Sequence, residues 1–146
     1  MTQFAALGPS RRRREPDTPT ERPETGYRAR FPARRSYAAL DLGTNNCRML
    51  IARPDGDQFF IIDAFSRIVR LGEGLGASGR LSEAAMDRAV SALSVCADKL
   101  MRRNVHLARS VATEACRRAE NGAEFVDRVY RETGIKLDVI PAEEEA

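Results

Sequence analysis

The sequence predicts an α/β domain built on a mixed five-stranded sheet with flanking helices. Three strand-length apolar runs follow one another between residues 37 and 71, with short turns between them, and predict an antiparallel meander. Two amphipathic helical segments then alternate with two further strands, an order typical of α/β folds. With 146 residues and 42% apolar content, the chain suffices for one modest core and leaves no room for a second domain.

Residues 37–53 predict a hairpin with a polar tip. Its two apolar runs flank a turn made of Gly43, Thr44, Asn45 and Asn46. Backbone N–H groups at such a tip can cradle an anion, and a glycine lets a phosphate approach closely. Asp41 ends the first run, and a carboxylate beside a phosphate needs a cation, which favours Mg²⁺ with its waters. From these residues alone, an ordinary hairpin with a polar turn explains the pattern equally well.

The next segments complete the meander. Residues 54–57 predict a second turn and residues 59–71 a third strand. Four glycines follow in residues 72–79, but their spacing differs from that of a dinucleotide-binding fingerprint, and they follow an antiparallel strand. We therefore expect a flexible loop there.

A long helix is predicted after Ser82, which is a favourable N-cap. Apolar residues recur every three or four positions up to Met101, and Asn104 offers a stop. Residues 106–112 then predict a strand, and Thr113 and Arg117 follow its carboxyl end. In open α/β sheets ligands bind at such ends, where a hydroxyl and a guanidinium suit a phosphate. The alternative is that Arg117 only solvates a helix end.

The last third of the chain predicts a helix, a strand and the start of another helix. Asn121 and Glu124 form a capping-box pattern, and Gly134 ends the helix. Residues 135–140 alternate as a fifth strand, and residues 141–146 resemble a first helical turn with three adjacent glutamates. These carboxylates either cap the helix in solvent or place one base beside the phosphate.

Charge and composition exclude several classes of function. Residues 1–36 contain nine arginines, four acids and five of the seven prolines, and predict a disordered leader. The remainder has fifteen basic and seventeen acidic residues, so we expect no specific nucleic-acid surface. No run reaches transmembrane length, which predicts no membrane insertion. Three separated cysteines predict reduced thiols in the cytoplasm, and the lone His106 cannot build a metal cluster.

Three separated motifs then resemble one family. They are Asp-Leu-Gly-Thr-Asn from Asp41, Val-Ala-Thr-Glu-Ala-Cys-Arg from Val111, and Ile-Pro-Ala-Glu-Glu-Glu-Ala from Ile140. Together they resemble the exopolyphosphatase / guanosine pentaphosphate phosphohydrolase (Ppx/GppA) family, which is bacterial, cytosolic and magnesium-dependent. The resemblance implies that residues 37–146 form the first ribonuclease-H-like lobe, truncated before a second phosphate loop.

The resemblance also implies roles for individual residues. The segment from Asp41 to Asn46 would form the first phosphate loop, Arg117 would bind the substrate phosphate, and Glu145 would be the general base, with Glu144 as the fallback. The implied substrates are polyphosphate and guanosine pentaphosphate, with a dimer as one option for the full-length family. We expect this chain alone to be inactive. An ATP-binding kinase or ATPase of the same superfamily and a non-catalytic phosphate-binding fragment are the alternatives.

Overall fold

The computed structural model describes residues 35–145, the side chain of Glu145 excepted. Five strands are present: β1 (Tyr37–Leu42), β2 (Asn46–Asp55), β3 (Gln58–Ile68), β4 (Leu107–Ala112) and β5 (Asp138–Val139). The helices are α1 (Leu75–Ser78), α2 (Glu83–Arg102), α3 (Glu114–Arg118), α4 (Gly122–Thr133) and α5 (Ala142–Glu145). The predicted leader lies outside the described residues, apart from its last two.

The strands form one mixed sheet in the order β3-β2-β1-β4-β5. The first three strands are antiparallel neighbours, and β4 and β5 run parallel to β1 and to each other. The predicted fold class, α/β with a mixed five-stranded sheet and an antiparallel three-strand meander, is therefore confirmed.

The strand register brings three carboxyl ends together. Leu42 of β1 is paired with Ala112 of β4, which is paired in turn with Val139 of β5. Neighbouring strands lie about 4.8 Å apart, so the segments that leave these strands emerge within roughly 10 Å of one another. This edge of the sheet is the one where the sequence predicted the phosphate site.

The core lies between one face of the sheet and α2 and α4. Alternate residues of β1 and β2 are buried there, as are Leu93 of α2 and Phe125 of α4. Ser82 caps α2 as predicted, because its Oγ accepts a hydrogen bond from the N–H of Ala85 at 3.1 Å. Gly134 ends α4 with a φ of 76°, also as predicted.

Two predicted strands and the glycine-rich segment differ from the structure. β3 ends at Ile68 rather than at residue 71, and β5 contains two residues rather than six. The glycine-rich segment is not an open loop, because it contains the helical turn α1. Leu75 within the segment and Leu71 directly before it are buried. Burial of these leucines supplies the apolar contact that a flexible loop would lack.

The predicted capping box at Asn121 is wrong. Asn121 makes no side-chain capping hydrogen bond to α4. Its Oδ1 instead accepts from the N–H of Leu81 at 2.8 Å, and its Nδ2 donates to the carbonyl of Leu81 at 3.0 Å. Asn121 is buried, so its amide requires partners, and the backbone of Leu81 provides both a donor and an acceptor.

The cysteines and the start of the described chain belong to the folded part. Cys47, Cys96 and Cys116 are free and buried. Ser36 is also buried; its Oγ donates to the carbonyl of Arg103 at 3.3 Å, and its carbonyl accepts from the N–H of His106.

None of the described helices is both long and apolar enough to cross a membrane.

Candidate active site

Residues 43–46, hereafter the 43–46 turn, connect β1 to β2. The N–H of Gly43 donates to the carbonyl of Asn46 at 2.8 Å and closes the turn. The carbonyls of Thr44 and Asn45 accept hydrogen bonds from Gly72 and Val69 at 3.0 and 2.7 Å. Both carbonyls are therefore directed toward the segment that follows β3.

Two N–H groups of the turn have no protein acceptor among the described residues. In a trans peptide the C=O and the N–H point in opposite directions, so the Asn45 N–H points away from Gly72. Within residues 35–145, the N–H groups of Thr44 and Asn45 donate to no protein acceptor. Two unpaired amide donors at a turn are the elements of an anion-binding nest.

Gly43 is required neither by backbone strain nor by protein packing. Its φ lies outside the left-handed region, and an added Cβ would approach only the carbonyl oxygen of Asn46, at an ordinary 3.5 Å. Gly72 differs, because an added Cβ there would clash with the Thr44 Cγ2. Close packing explains Gly72, whereas the space beside Gly43 is open to a ligand.

Thr113 and Arg117 lie at the same edge as the turn. The N–H of Thr113 donates to the carbonyl of Leu42 at 3.2 Å, directly beside Gly43. The side chain of Arg117 extends from α3, and its Nη1 donates to the carbonyl of Ile140 at 2.8 Å, just before α5. The structure thus brings the predicted turn, Thr113 and Arg117 to the adjoining ends of β1, β4 and β5.

Asp41 lies on the sheet face turned away from α2. It is exposed, and its backbone pairs across the hairpin with Arg48. Both line a cavity of about 750 Å³, together with Arg109 and Glu144. Arg109 and Glu144 form an ion pair of 3.6 Å between Nη2 and Oε2. The cavity combines these four charged side chains with an apolar floor.

The sequence reasoning missed Arg48 and Arg109. Arg48 could have been found, since a hairpin that pairs Leu42 with Cys47 necessarily pairs Asp41 with Arg48. Arg109 gave no such signal, because its proximity to Glu144 depends on the position of α5.

The remaining predicted residues concern the base and the metal. The backbone of Glu145 ends α5, but its side chain lies outside the described part of the chain. Within that part, no group of three or more metal-ligating side chains is present. Asp41 is a single exposed carboxylate beside the 43–46 turn. This donor set fits Mg²⁺, which is commonly held by one or two carboxylates, by substrate phosphates and by waters.

Comparison with known proteins identifies the family of the chain. Residues 50–146 match the model of the Ppx/GppA phosphatase family. A guanosine-5'-triphosphate,3'-diphosphate pyrophosphatase from Photobacterium profundum is 38% identical over 117 residues, which are 80% of this chain and 24% of that protein. The chain thus spans about a quarter of the length of this curated relative.

Solved structures give the same result. The crystal structure of the Aquifex aeolicus member of the Ppx/GppA family superposes with a TM-score of 0.73 and 34% identity, covering 76% of this chain and 36% of that one. An exopolyphosphatase from Cytophaga hutchinsonii gives a TM-score of 0.73 and 29% identity over the same shares. On sequence and structure alike, the chain belongs to the Ppx/GppA phosphatase family.

Proposed function

We propose that this chain supplies the first phosphate-binding lobe of a hydrolase that removes the terminal phosphate from inorganic polyphosphate or guanosine pentaphosphate. The proposal rests on one observation: the unpaired N–H groups of Thr44 and Asn45 and the Arg117 side chain lie at one edge of the sheet. The names of the relatives support the substrate class, because one is an exopolyphosphatase and another a guanosine-5'-triphosphate,3'-diphosphate pyrophosphatase.

The proposed chemistry is hydrolysis of a phosphoanhydride. A water oxygen attacks the terminal phosphorus in line, the bond from that phosphorus to the bridging oxygen breaks, and the shortened polyanion leaves with orthophosphate as the second product. Glu145 accepts the proton of the attacking water, and Glu144 is the fallback. Glu145 is favoured because the carboxylate of Glu144 already contacts Arg109.

The other predicted residues bind and neutralise the transferring group. The N–H groups of Thr44 and Asn45, together with Thr113 and Arg117, bind its oxygens, and the guanidinium offsets the charge that develops there. Asp41 would hold Mg²⁺, which when bound supplies positive charge between the carboxylate and the phosphates.

Isothermal titration of the 146-residue chain with tripolyphosphate tests the proposal. We expect binding that requires Mg²⁺ and that Arg117→Gln weakens about tenfold, the usual effect of losing one charge-assisted hydrogen bond. Arg131→Gln is the matched control, because Arg131 is an exposed arginine of α4. Equal losses in both variants would contradict a specific site, and an unchanged melting temperature of Arg117→Gln excludes misfolding as the cause.

Turnover and competition separate the alternatives. We expect the chain alone to release no orthophosphate above the level of its Glu145→Gln variant, and turnover abolished by that substitution would contradict this. ATP that competes with tripolyphosphate at equal strength would instead favour an ATPase or kinase. Phosphate binding without turnover, even when this chain is part of a full-length protein of the family, would favour the non-catalytic alternative.

A further inference from the structure

Arg70 adopts a backbone conformation that arginine rarely takes. It lies two residues beyond β3 and has a φ of 49°. All other described residues with positive φ are glycine or asparagine: Gly56, Gly74, Gly79, Asn104 and Gly134. These are the residue types that tolerate the left-handed region best. An arginine in this conformation next to a candidate site indicates that its side chain has a use.

Hydrogen bonds fix this conformation beside the 43–46 turn. The N–H of Arg70 donates to the carbonyl of Asn45 at 3.0 Å. Its carbonyl accepts from the N–H of Glu73 and from Nη2 of Arg88, both at 3.1 Å. Arg88 also donates through Nε to the carbonyl of Val69 at 2.8 Å. Arg70 cannot relax to an ordinary φ without breaking several of these bonds.

Within residues 35–144 the guanidinium of Arg70 forms no hydrogen bond or ion pair, and the residue is exposed. Its neighbours differ: Arg88 pairs with Glu73 at 2.6 Å, and Arg80 pairs with Glu120 at 3.5 Å. The backbone of Arg70 lies on the carbonyl side of the 43–46 turn, and its exposed side chain is long enough to reach around the turn toward the side of the Asn45 N–H.

We infer that Arg70 is a further phosphate-binding residue, which binds the phosphoryl group next to the one held by the 43–46 turn. The inference rests on the proposed function, because it assigns Arg70 to the same phosphoanhydride. The planar guanidinium binds two phosphate oxygens at once, which suits a substrate with consecutive phosphoryl groups. The ligand class is a chain of at least two linked phosphates, whether inorganic or attached to a nucleoside.

Isothermal titration with tripolyphosphate and Mg²⁺ at fixed ionic strength tests this role on the 146-residue chain. We expect Arg70→Gln and Arg70→Gly each to weaken binding about tenfold, and Arg131→Gln to change it less than about twofold. The arginines of residues 1–34 are present in every variant, so their contribution cancels. Arg70→Gly relieves the left-handed strain, so we expect its melting temperature to be equal to or above that of the unsubstituted chain.

Three outcomes would overturn the inference. If both Arg70 variants bind like Arg131→Gln while Arg117→Gln binds weakly, Arg70 has no role and the proposed function stands. If only Arg70→Gly loses affinity, the loop conformation matters rather than the charge. If the unsubstituted chain shows no magnesium-dependent binding, the proposed function fails together with the inference.

Discussion

Replacing Gly43 by alanine tests whether this glycine is needed for phosphate binding or for the stability of the fold. An alanine Cβ at this position would meet only the Asn46 carbonyl oxygen, at 3.5 Å, and needs no left-handed φ. The substitution should therefore fold without strain. Because alanine restricts the unfolded chain more than glycine does, we expect the free energy of unfolding to rise by about 0.4–1 kcal/mol.

Phosphate binding should change in the opposite direction. The methyl group would occupy the open space beside the turn, where a phosphate oxygen must approach the N–H groups of Thr44 and Asn45. Loss of one charge-assisted hydrogen bond costs about 1.5–3 kcal/mol, so the dissociation constant should rise at least tenfold.

Urea denaturation and titration with tripolyphosphate measure the two effects. Gly76→Ala is the matched control, since an added Cβ at Gly76 of α1 meets no atom within 4 Å and needs no positive φ. The control should leave affinity unchanged. The reasoning is refuted if Gly43→Ala binds tripolyphosphate as tightly as the unsubstituted chain, or if it is destabilised.

Three further predictions concern the folded lobe. Asn121→Ala leaves the buried N–H and C=O of Leu81 without partners and should cost about 2–3 kcal/mol in urea denaturation; an unchanged midpoint would contradict the pairing. A hydrogen bond from Lys99 lowers the pKa of Asp63 below 3.8, so this carboxylate's stabilisation is present at neutral pH and is lost as the pH falls through the lowered value. Melting temperatures between pH 6 and pH 2 should therefore fall more steeply for the unsubstituted chain than for Asp63→Asn, and parallel curves would contradict this. Burial raises the pKa of Cys116 to about 12, so this thiol should resist a thiol-specific disulfide reagent at pH 8 until the chain is unfolded; rapid native labelling would show that it is accessible.

Local signals in the sequence predicted the elements that depend on local interactions. Ser82 caps α2 and Gly134 ends α4, because each requires only the backbone within one helical turn. The tip of the first hairpin was predicted correctly for the same reason, since its polar residues stand between two apolar runs.

Contacts between distant segments could not be predicted in this way. Asn121 has the local pattern of a cap, but its partner is Leu81, forty residues away in sequence. The left-handed Arg70 follows from hydrogen bonds with Asn45 and Arg88, neither of which is a sequence neighbour. The ends of β1, β4 and β5 meet only because of the strand order, so the predicted site depended on a general rule for α/β sheets.

A two-dimensional NMR titration of the 146-residue chain with tripolyphosphate and Mg²⁺ shows which groups respond to the anion. A phosphate site at this edge of the sheet predicts saturable shifts of the backbone amides of Thr44, Asn45 and Thr113 and of the side-chain Nε–H of Arg117, all with one dissociation constant. Shifts confined to the arginine-rich residues 1–34, with these amides unmoved, would contradict it.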